Sequence, residues 1–563
     1  MKATVAYFSM EIGIKSSIPT YSGGLGVLAG DTIRSAADLG INMVAVTLLQ
    51  RYGYFQQNID GTGWQTEEPD LWSVEDMLEE IPVSVSVYIE GREVHLRVWR
   101  YNVKGIKGDE VPVYFLDTDF NSNSEADKTI THYLYGGDNY YRLCQEVVLG
   151  IGGVKMLRAL GYSQIDRFHM NEGHPSLLVL ELLSEIASKI NGNTINHKVL
   201  EAVRSMCVYT THTPVPAGHD QFPLDMANKV LQAYPIFKQL EDSACCDKVL
   251  NMTYLALNNS YYINGVAKKH KEVSQRMYQN YVIHAITNGV HLATWASDSW
   301  KTLYDKFVPG WREDNTSLRC AISLPKNEIW NAHLEAKSKL IHYINEVSKI
   351  KFDEDTFTIG FARRATLYKR HDLLFYNVDR LNEIAEKTGP MQLVFGGKAH
   401  PHDQSGKEII QKIYRVKNSL HPNIKFVYLS DYNIILAKLL ISGVDVWLNT
   451  PLAPLEASGT SGMKAAVNGV PSFSILDGWW IEGCIENVTG WSIGNAETSS
   501  SITDINQIDA NHLYNKLENT ILPLYYQNRD AFIEVMRHAI GVNASHFNTE
   551  RMLNQYVTKA YFR

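Results

Sequence analysis

The chain has 563 residues, of which 45% are apolar, and its formal net charge is -8. A chain of this length can bury a large core and is expected to form two sizeable domains. Its acidic charge argues against a nucleic-acid partner, because proteins that bind nucleic acids present a basic face.

The start of the chain lacks the features of a targeting segment. It reaches Glu11 before an apolar run of signal length can form, and no later apolar stretch is long enough to span a bilayer. The six cysteines include no CxxC pair, so we expect reduced packing cysteines rather than disulfides or zinc ligands. We therefore expect a soluble cytoplasmic protein that has no membrane partner.

Short apolar runs alternate with longer helix-like segments along the chain, a pattern typical of parallel sheets built from βαβ units. In a first domain we predict strands at residues 4–8 and 43–48, separated by a Gly-rich loop at 22–26 and a helix. In a second domain we predict strands at residues 357–362, 392–395, 425–429 and 444–448. The boundary between the domains is placed between residues 295 and 296, soon after the Asn288-Gly289 pair, which is a turn signal.

Cationic side chains follow two of the predicted strands of the second domain, at residues 363–364, 369–370 and 398. Ligands of open α/β sheets bind beyond the carboxyl ends of the strands. Such charges often form only a solvated face. Two clusters at neighbouring strand ends favour phosphate instead, because Arg side chains match phosphate oxygens with two parallel donors.

Residues 456–464 read EASGTSGMK and follow the predicted strand at 444–448. Backbone N–H groups of a small-residue turn at a helix start can bind an anion. The segment is not a P-loop, because Met463 separates Gly462 from Lys464 and Ala465 follows the lysine. A nucleotide hydrolase is therefore weakly supported.

Three further motifs are less informative. Residues 169–174 (HMNEGH) match neither HExxH nor HxxEH, so we expect no metal site. Residues 150–155 (GIGGVK) lack the third glycine of a dinucleotide fingerprint and read as a packed helix, which makes NAD unlikely as a cofactor. The Trp479-Trp480 pair is suited either to stacking on sugar rings or to a core or inter-domain position.

Five segments together resemble one enzyme family. They are GGLG at 23–26, HT at 212–213, TNG at 287–289, the cationic residues at 363–364 and 369–370, and the lysine segment at 456–464. They occur in the order found in α-glucan (glycogen, starch and maltodextrin) phosphorylases, and the chain resembles that family from end to end. Four longer segments resemble its short bacterial and archaeal branch: GGLGVLAGD at 23–31, TTHTPVPAG at 210–218, GFARR at 360–364 and DGWW at 477–480.

This resemblance implies an α/β fold of the glycosyltransferase-B architecture, with two Rossmann-like domains and an inter-domain active-site cleft. The N-terminal domain would comprise residues 1–295 and the C-terminal, cofactor-binding domain residues 296–544. A helix at 545–563 would pack back on the first domain. Family habit also implies a homodimer.

The resemblance implies pyridoxal 5'-phosphate as the cofactor. Lys464 would hold it as a Schiff base, and its phosphate, rather than its ring, would take part in catalysis as the acid–base partner of the substrate phosphate. The groups that would surround the cofactor phosphate are Arg363, Tyr432 and the amides near Gly24, Thr460 and Ser461.

The implied reaction is reversible, retaining phosphorolysis of α-1,4-glucan or maltooligosaccharide from the non-reducing end, which gives α-D-glucose 1-phosphate. Arg364 and Lys369 would hold the inorganic phosphate or the phosphate of the product. Two unit charges of like sign about 5 Å apart repel by roughly 3 kcal/mol at an effective dielectric constant of about 20, so two adjacent phosphates need a surplus of cations.

The sugar would be held by polar groups that tolerate an oxocarbenium-like transition state. By resemblance, Glu456 and the Gly459 amide would contact ring hydroxyls, Asn288 and His212 the hydroxymethyl end, and Leu25 would line the cavity. The His212 carbonyl would face the anomeric carbon. Lys464, Arg364, Lys369 and His212 are thus the expected catalytic set.

Departures from the long family members limit these expectations. The chain starts close to the Gly-rich loop, so we expect no N-terminal phosphorylation or nucleotide-effector control. Ser461-Gly462 replaces a Gly-Asn pair and Thr366 replaces a His, which leaves the preferred chain length open. The alternatives are a nucleotide-sugar-dependent glucan synthase of the same architecture, which needs no Lys464, and a catalytically inactive glucan-binding protein.

Overall fold

The computed structural model describes residues 2–190, 192, 194–215, 218–494 and 501–562. Pro216 and Ala217 of the 210–218 motif, Arg563 of the predicted last helix and the side chain of Cys246 lie outside this description. In the described part of the chain, no helix combines the length and apolar character that a membrane span needs.

The strands follow in chain order. They are β1 (Lys2–Phe8), β2 (Met43–Leu48), β3 (Gln56–Ile59), β4 (Gln65–Glu68), β5 (Glu79–Ile89), β6 (Arg92–Lys104), β7 (Glu110–Asp117), β8 (Gln164–Asn171), β9 (Cys207–Thr210), β10 (Gln221–Pro223), β11 (Cys245–Cys246), β12 (Val249–Asn251), β13 (Tyr262–Gly265), β14 (His284–Ala285), β15 (Phe357–Ala362), β16 (Met391–Gly396), β17 (Ile424–Leu429), β18 (Val446–Asn449), β19 (Ser472–Ile475) and β20 (Gly490–Ile493).

The α-helices are α1 (Gly24–Asp38), α2 (Val74–Met77), α3 (Glu125–Lys128), α4 (Asn139–Val147), α5 (Gly153–Ala159), α6 (Leu178–Ile190), α7 (His197–Arg204), α8 (Leu224–Val230), α9 (Pro235–Lys238), α10 (Glu241–Ala244), α11 (Met252–Asn258), α12 (Lys268–Met277), α13 (Leu292–Trp295), α14 (Asp298–Phe307), α15 (Lys326–Val347), α16 (Val378–Thr388), α17 (Gln404–Val416), α18 (Ile434–Gly443), α19 (Ser461–Ala466), α20 (Trp480–Gly483), α21 (Ile502–Lys516), α22 (Leu522–Gln527), α23 (Arg529–His538) and α24 (Thr549–Tyr556). Short 3-10 or π segments adjoin several of them, at Thr129–Thr131, Val148–Gly152, Asn315–Ser323, Leu367–Lys369, Leu373–Phe375, Lys417–Ser419, Leu517–Ile521, Ala539–Ala544 and Val557–Tyr561.

The chain divides into two compact units. The first contains the described residues of Met1–Phe55, Pro69–Thr287 and Met552–Arg563, and the second contains Gln56–Glu68 and the described residues of Asn288–Arg551. The first unit therefore ends eight residues before the predicted boundary at 295. The hairpin of β3 and β4, which the prediction assigned to the N-terminal domain, lies in the second unit.

The first unit is built on a sheet that has the strand order β14-β13-β9-β8-β1-β2-β7-β6-β5 in the described residues. The strands from β14 to β7 pair in parallel, and β5 and β6 add an antiparallel edge. The apolar faces of these strands pack against helices on both sides, as the continuous apolar runs require. Cys144 and Cys207 are buried free thiols in this unit, in keeping with the predicted packing role.

The second unit contains a parallel sheet in the order β17-β16-β15-β18-β19-β20. All residues of β15 and β16 are buried, because helices cover both faces of the sheet. The two parallel sheets confirm the predicted α/β class, and all six predicted strands are confirmed as β1, β2 and β15 to β18.

The C-terminal segment packs into the first unit. Met552, Leu553 and Tyr556 are buried in the same apolar cluster as Val5 and Tyr7 of β1. The predicted helix at 545–563 was wrong at its start, since α24 begins at Thr549. The preceding residue caps the helix, because the Asn548 side-chain oxygen accepts a hydrogen bond from the Arg551 amide at 2.8 Å.

A fully buried ionic network joins α15 to the sheet of the second unit. The Lys337 ammonium donates to Asp445 Oδ2 at 2.7 Å, to the Thr356 carbonyl at 2.8 Å and to the Tyr525 hydroxyl at 3.0 Å, which uses all three of its donors. His333 Nε2 contacts the other oxygen of Asp445 at 2.8 Å. Burial alone would raise the pKa of Asp445, but Lys337 and His333 outweigh burial and lower it.

Replacing Lys337 should therefore destabilise the second unit strongly. Lys337→Ala leaves the Asp445 carboxylate buried without its cation, and we expect a loss of about 3–5 kcal/mol in the free energy of unfolding, measured by urea denaturation. Lys339→Ala is the matched control on the same helix, since Lys339 forms an exposed pair with Glu335 and should cost less than about 1 kcal/mol. Equal losses in the two variants would contradict this account of the network.

Candidate active site

The strand order of the second unit creates one point at which the chain connections diverge. β15 lies between β16 and β18, so that the loops after β15 and β18 leave neighbouring strands in opposite directions. Such a topological switch point is where open α/β sheets bind ligands beyond the carboxyl ends of their strands. The loop after β15 carries Arg363, and the loop after β18 carries Glu456.

Three predicted site residues meet at this point. The Glu456 carboxylate accepts a hydrogen bond from Arg363 Nη2 and another, at 2.7 Å, from the Lys369 ammonium. All three side chains are buried. Burial by itself would raise the pKa of the Glu456 carboxyl, but the two cations outweigh burial and lower it to about 2. Glu456 is therefore ionised at neutral pH.

The Arg363 guanidinium retains donor capacity beyond this pair. Its Nη1 nitrogen is buried and has no hydrogen-bond partner among the described residues. A buried guanidinium donor without a partner is costly, so that this nitrogen indicates where an anion would bind. The backbone around it is held by the neighbouring loop, because the Ala365 amide donates to the Lys398 carbonyl at 2.9 Å.

Asp477 fixes the main chain of Glu456, a role that the sequence interpretation missed. Asp477 Oδ2 accepts from the Glu456 amide and Oδ1 accepts from the Gly478 amide, both at 2.8 Å. Burial raises the pKa of Asp477 to about 6, although these two amides oppose the shift. The sequence signal that could have indicated this role is the position of Asp477 just beyond the end of β19.

Lys464 lies in the last turn of the short helix α19, which follows the loop after β18. Its side chain is buried, and its ammonium lies 4.2 Å from the centre of the Trp295 ring, a cation–π contact that the sequence did not indicate. Gly462 is required nearby, because a Cβ there would come within 2.7 Å of Ser472 Oγ and 2.8 Å of Trp479. Thr460 and Ser461 stand at the start of the same helix, and Ser461 Oγ accepts from the Trp447 indole at 3.0 Å.

The other cations predicted near these strand ends differ in their exposure and in their ion-pair partners. Arg364 is exposed beside Arg363. Arg370 donates to Asp509 at 2.7 Å and to the Thr450 carbonyl at 3.0 Å, and Lys398 pairs with Asp431 at 2.6 Å. Both of these charges are neutralised by carboxylates. Arg363 and Lys369 instead share the Glu456 carboxylate.

The remaining predicted residues of the second unit are Asn288, Gly459 and Tyr432. Asn288 is buried, and its Oδ1 atom has no hydrogen-bond partner within the part of the chain that the structure describes. Gly459 has a positive φ of 81°, which favours glycine, and it lies three residues after Glu456. The Tyr432 ring packs beside Gly396 at the end of β16, where an added Cβ would lie 3.5 Å from the ring.

In the first unit, Glu172 organises the segment that contains His212. Its carboxylate accepts from the His212 amide at 2.7 Å and from the Tyr209 hydroxyl at 2.9 Å. His212 Nε2 donates to Asn171 Oδ1 at 2.6 Å. Burial lowers the pKa of His212 to about 4, although Glu172 opposes the shift. His212 is therefore neutral at neutral pH.

A second carboxylate of the first unit holds the Gly-rich loop. Glu11 accepts hydrogen bonds from the Ser22 amide at 2.5 Å and the Gly23 amide at 3.2 Å, and the Tyr135 hydroxyl donates to its other oxygen at 3.0 Å. Gly24 opens α1 immediately after these amides, and Leu25 follows in a half-buried position. The predicted site residues of this unit thus lie on loops that buried glutamates anchor.

The Trp479-Trp480 pair occupies a core position. Both side chains are buried, and the Trp479 ring packs edge-on against Phe547 with 4.9 Å between the ring centres. Of the two roles that the sequence left open, the core role is confirmed.

The chain is similar to known carbohydrate phosphorylases. The carbohydrate phosphorylase family profile matches residues 237–524. A maltodextrin phosphorylase of Thermococcus litoralis is 39% identical over 99% of this chain and 70% of its own length. Glycogen phosphorylases of Aquifex aeolicus and Mycobacterium tuberculosis are 35% and 33% identical, over 100% and 99% of this chain and 86% and 70% of their own lengths.

Glu456→Gln should show how much the Glu456 carboxylate stabilises the protein by pairing with Arg363 and Lys369. It leaves two buried cations without their carboxylate, and we expect a loss of about 3–5 kcal/mol in the free energy of unfolding at pH 7. Because the folded-state pKa of Glu456 lies below the ordinary 4.5, its stabilisation is complete above that pH and is lost on acidification toward about 2. The gap between wild type and variant should thus shrink by about 1 kcal/mol between pH 7 and pH 4.

Urea denaturation across this pH range measures both effects, and Glu335→Gln is the control because it removes an exposed ion pair. Added inorganic phosphate should raise the melting temperature of Glu456→Gln more than that of wild type, since the anion can replace the lost carboxylate. A gap between wild type and Glu456→Gln that stays constant from pH 7 to pH 4 would contradict the assignment.

Proposed function

This chain belongs to the carbohydrate phosphorylase family, and from that premise we infer that it is an α-glucan phosphorylase. It catalyses the reversible phosphorolysis of α-1,4-linked glucan or maltooligosaccharide from the non-reducing end, with retention of configuration. The product is α-D-glucose 1-phosphate. The observation that carries this proposal is the buried cluster of Arg363, Lys369 and Glu456 at the switch point of the second sheet.

The cluster suits a phosphate substrate. Lys369 and Arg364 are proposed to bind the oxygens of inorganic phosphate or of glucose 1-phosphate, because cationic side chains make strong, charge-assisted hydrogen bonds to phosphate oxygens. Glu456 keeps the cations in place and, beside the Gly459 amide, is proposed to accept hydrogen bonds from ring hydroxyls. The buried Oδ1 of Asn288, which has no partner among the described residues, suits a sugar hydroxyl.

The residues of the second unit also fit pyridoxal 5'-phosphate. The Arg363 Nη1 and Ser458 Oγ atoms are buried without hydrogen-bond partners among the described residues, and the Lys464 amine is buried against an indole face. We propose that Lys464 holds the cofactor and that Arg363, Tyr432 and the amides of Thr460 and Ser461 surround its phosphate. When bound, this group supplies an acid–base phosphate next to the substrate phosphate.

The protein groups are poorly suited to act as the proton donor. Glu456 is held ionised by two cations, and both oxygens of Asp477 accept main-chain amides. We therefore propose that the bound substrate phosphate gives its proton to the glycosidic oxygen as the bond to the anomeric carbon breaks. A phosphate oxygen then bonds to that carbon on the same face, which preserves the configuration and releases the shortened glucan.

The residues of the first unit are assigned by the family resemblance. His212 is proposed to contact the hydroxymethyl end of the sugar and to direct its carbonyl toward the anomeric carbon, and Leu25 to line the sugar site. The Gly24 amide is proposed to bind the cofactor phosphate. The neutral state of His212 supports its role, since a charged imidazolium would oppose the positive charge that develops on the sugar.

The test is an assay of the purified protein with a maltooligosaccharide series and inorganic phosphate, which scores glucose 1-phosphate before and after removal of pyridoxal phosphate. We expect product that disappears on removal of the cofactor and returns on its addition. Protein that contains no cofactor and transfers glucose only from a nucleotide sugar would replace this proposal with the glucan synthase.

Lys464→Ala should abolish both retention of the cofactor and formation of glucose 1-phosphate, because it removes the amine that holds the cofactor. Absorbance of the dialysed protein and the product assay measure the two effects separately. Lys412→Ala, which removes an exposed lysine of α17, is the control and should change neither. Full activity of Lys464→Ala would rule out the proposed cofactor site.

Arg364→Ala should weaken phosphate binding while the cofactor stays bound. The loss of one charge-assisted hydrogen bond is expected to raise KM for phosphate by roughly 10- to 100-fold and to slow turnover. Steady-state kinetics with phosphate varied at saturating glucan provide the measurement. Arg380→Ala on α16 is the matched control, and an unchanged KM for phosphate in Arg364→Ala would remove this residue from the phosphate site.

A further inference from the structure

The hairpin of β3 and β4 contacts the second unit although its sequence lies within the first. The chain leaves the first unit after Phe55, forms this hairpin in the second unit and returns to the first at Pro69. The two strands pair antiparallel, with Gln57 opposite Glu67 and Ile59 opposite Gln65. Gln57 and Gln65 are buried, with 3% and 0% of their surfaces exposed.

Gln57 connects two loops that follow neighbouring strands. Its side-chain oxygen accepts from the Asp431 amide at 2.9 Å, in the loop after β17, and its side-chain nitrogen donates to the Gly397 carbonyl at 2.9 Å, in the loop after β16. The Gln57 backbone amide donates in turn to the Asp431 carboxylate at 3.0 Å. One side chain therefore ties the ends of β16 and β17 together.

Gln65 holds Ala399, two residues after Gly397 in the β16 loop, through both backbone groups of Ala399. Its side-chain oxygen accepts from the Ala399 amide, and its side-chain nitrogen donates to the Ala399 carbonyl, both at 2.9 Å. The Gln57 side-chain nitrogen also donates to Gln65 Oε1 at 2.7 Å. The two glutamines thus form one connected, buried hydrogen-bond network, which is a rigid arrangement when every member is satisfied.

The loop that they hold lies directly behind Arg363. The Arg363 amide donates to the Gly396 carbonyl at 3.3 Å, and a Cβ added to Gly397 would lie only 1.8 Å from the Arg363 carbonyl oxygen. The Tyr432 ring packs on Gly396 from the other loop. With contacts this close, a shift of the loop at 396–399 must move the backbone of Arg363.

We propose that Gln57 and Gln65 are positioning residues for phosphate recognition. They set the backbone of the loops at 396–399 and 431–432 without touching a substrate themselves. Through these loops they set the place of Arg363, proposed for the cofactor phosphate, and of Arg364, proposed for the substrate phosphate. The main chain on both sides of Arg364 is held by the first loop, because the Arg363 amide donates to the Gly396 carbonyl and the Ala365 amide to the Lys398 carbonyl. This inference rests on the proposed function, because it takes the phosphate groups to bind at Arg363 and its neighbours. Their own hydrogen-bonding groups are used up by main chain, by each other and by Glu67.

The test is steady-state kinetics of Gln57→Ala and Gln65→Ala in the full chain. We expect KM for inorganic phosphate to rise by about tenfold in each variant, because buried hydrogen bonds that set the loop are lost, while KM for the glucan stays within about twofold of wild type. Gln411→Ala is the matched control, since its side chain reaches the hairpin only at the exposed Thr62. It should change neither constant.

A second variant preserves the size of the side chain. Gln57→Glu keeps the acceptor for the Asp431 amide but, when ionised, turns an oxygen toward the Gly397 carbonyl in place of a donor. Its KM for phosphate, relative to wild type at the same pH, should therefore be raised at pH 7.5 and should recover at pH 6 as the buried acid becomes protonated. A general loss of packing would not produce this recovery.

Binding measurements separate this inference from the proposed function. Isothermal titration of inorganic phosphate into each protein, and hydrogen exchange of peptides that cover 396–399 and 430–432, need no turnover. If wild type makes no glucose 1-phosphate, the proposed function fails, and weaker phosphate binding in Gln57→Ala still supports the positioning role. Unchanged phosphate affinity and KM in both alanine variants, or equal rises in KM for phosphate and glucan, would overturn it.

Discussion

The site depends on the balance of charge around Glu456. Arg363 and Lys369 are buried cations, and each would be costly to desolvate alone. Glu456 supplies the opposite charge within hydrogen-bond distance and is held ionised by that contact. This arrangement keeps a concentrated positive charge at the strand ends in a folded protein. Under the proposed function, a phosphate binds there by joining or replacing an anion that is already part of the structure.

Other groups of the second unit hold these charged residues in place. Asp477 holds the main chain of Glu456, and the loops at 396–399 and 431–432 support Arg363 from behind. At the opposite end of the sheet, Lys337 and Asp445 tie α15 to the strands through a network that never reaches solvent. Polar groups at both ends of the sheet thus carry stability. Those at the carboxyl ends also include two buried atoms, Arg363 Nη1 and Ser458 Oγ, that have no hydrogen-bond partner among the described residues.

The electrostatics fit a reaction in which the protein binds and orients while the substrate phosphate moves the proton. Glu456 is too acidic to protonate a glycosidic oxygen, and His212 is too weak a base to carry charge at neutral pH. A neutral imidazole and an ionised carboxylate both favour a positively charged sugar. In the first unit, burial keeps the His212 imidazole neutral, and the His212 backbone amide donates a hydrogen bond to Glu172.

The sequence by itself determined the α/β class, the six predicted strands and the family, because strand period, apolar runs and loop motifs are local properties of the chain. It also placed Arg363, Lys369 and Glu456 at strand ends. Only the tertiary structure decided that Glu456 pairs with both cations, that Arg370 turns to Asp509, and that the hairpin of β3 and β4 lies in the second unit. These contacts join residues that are far apart in the chain. Strand order and packing decide which residues meet, and neither can be inferred from a local sequence pattern.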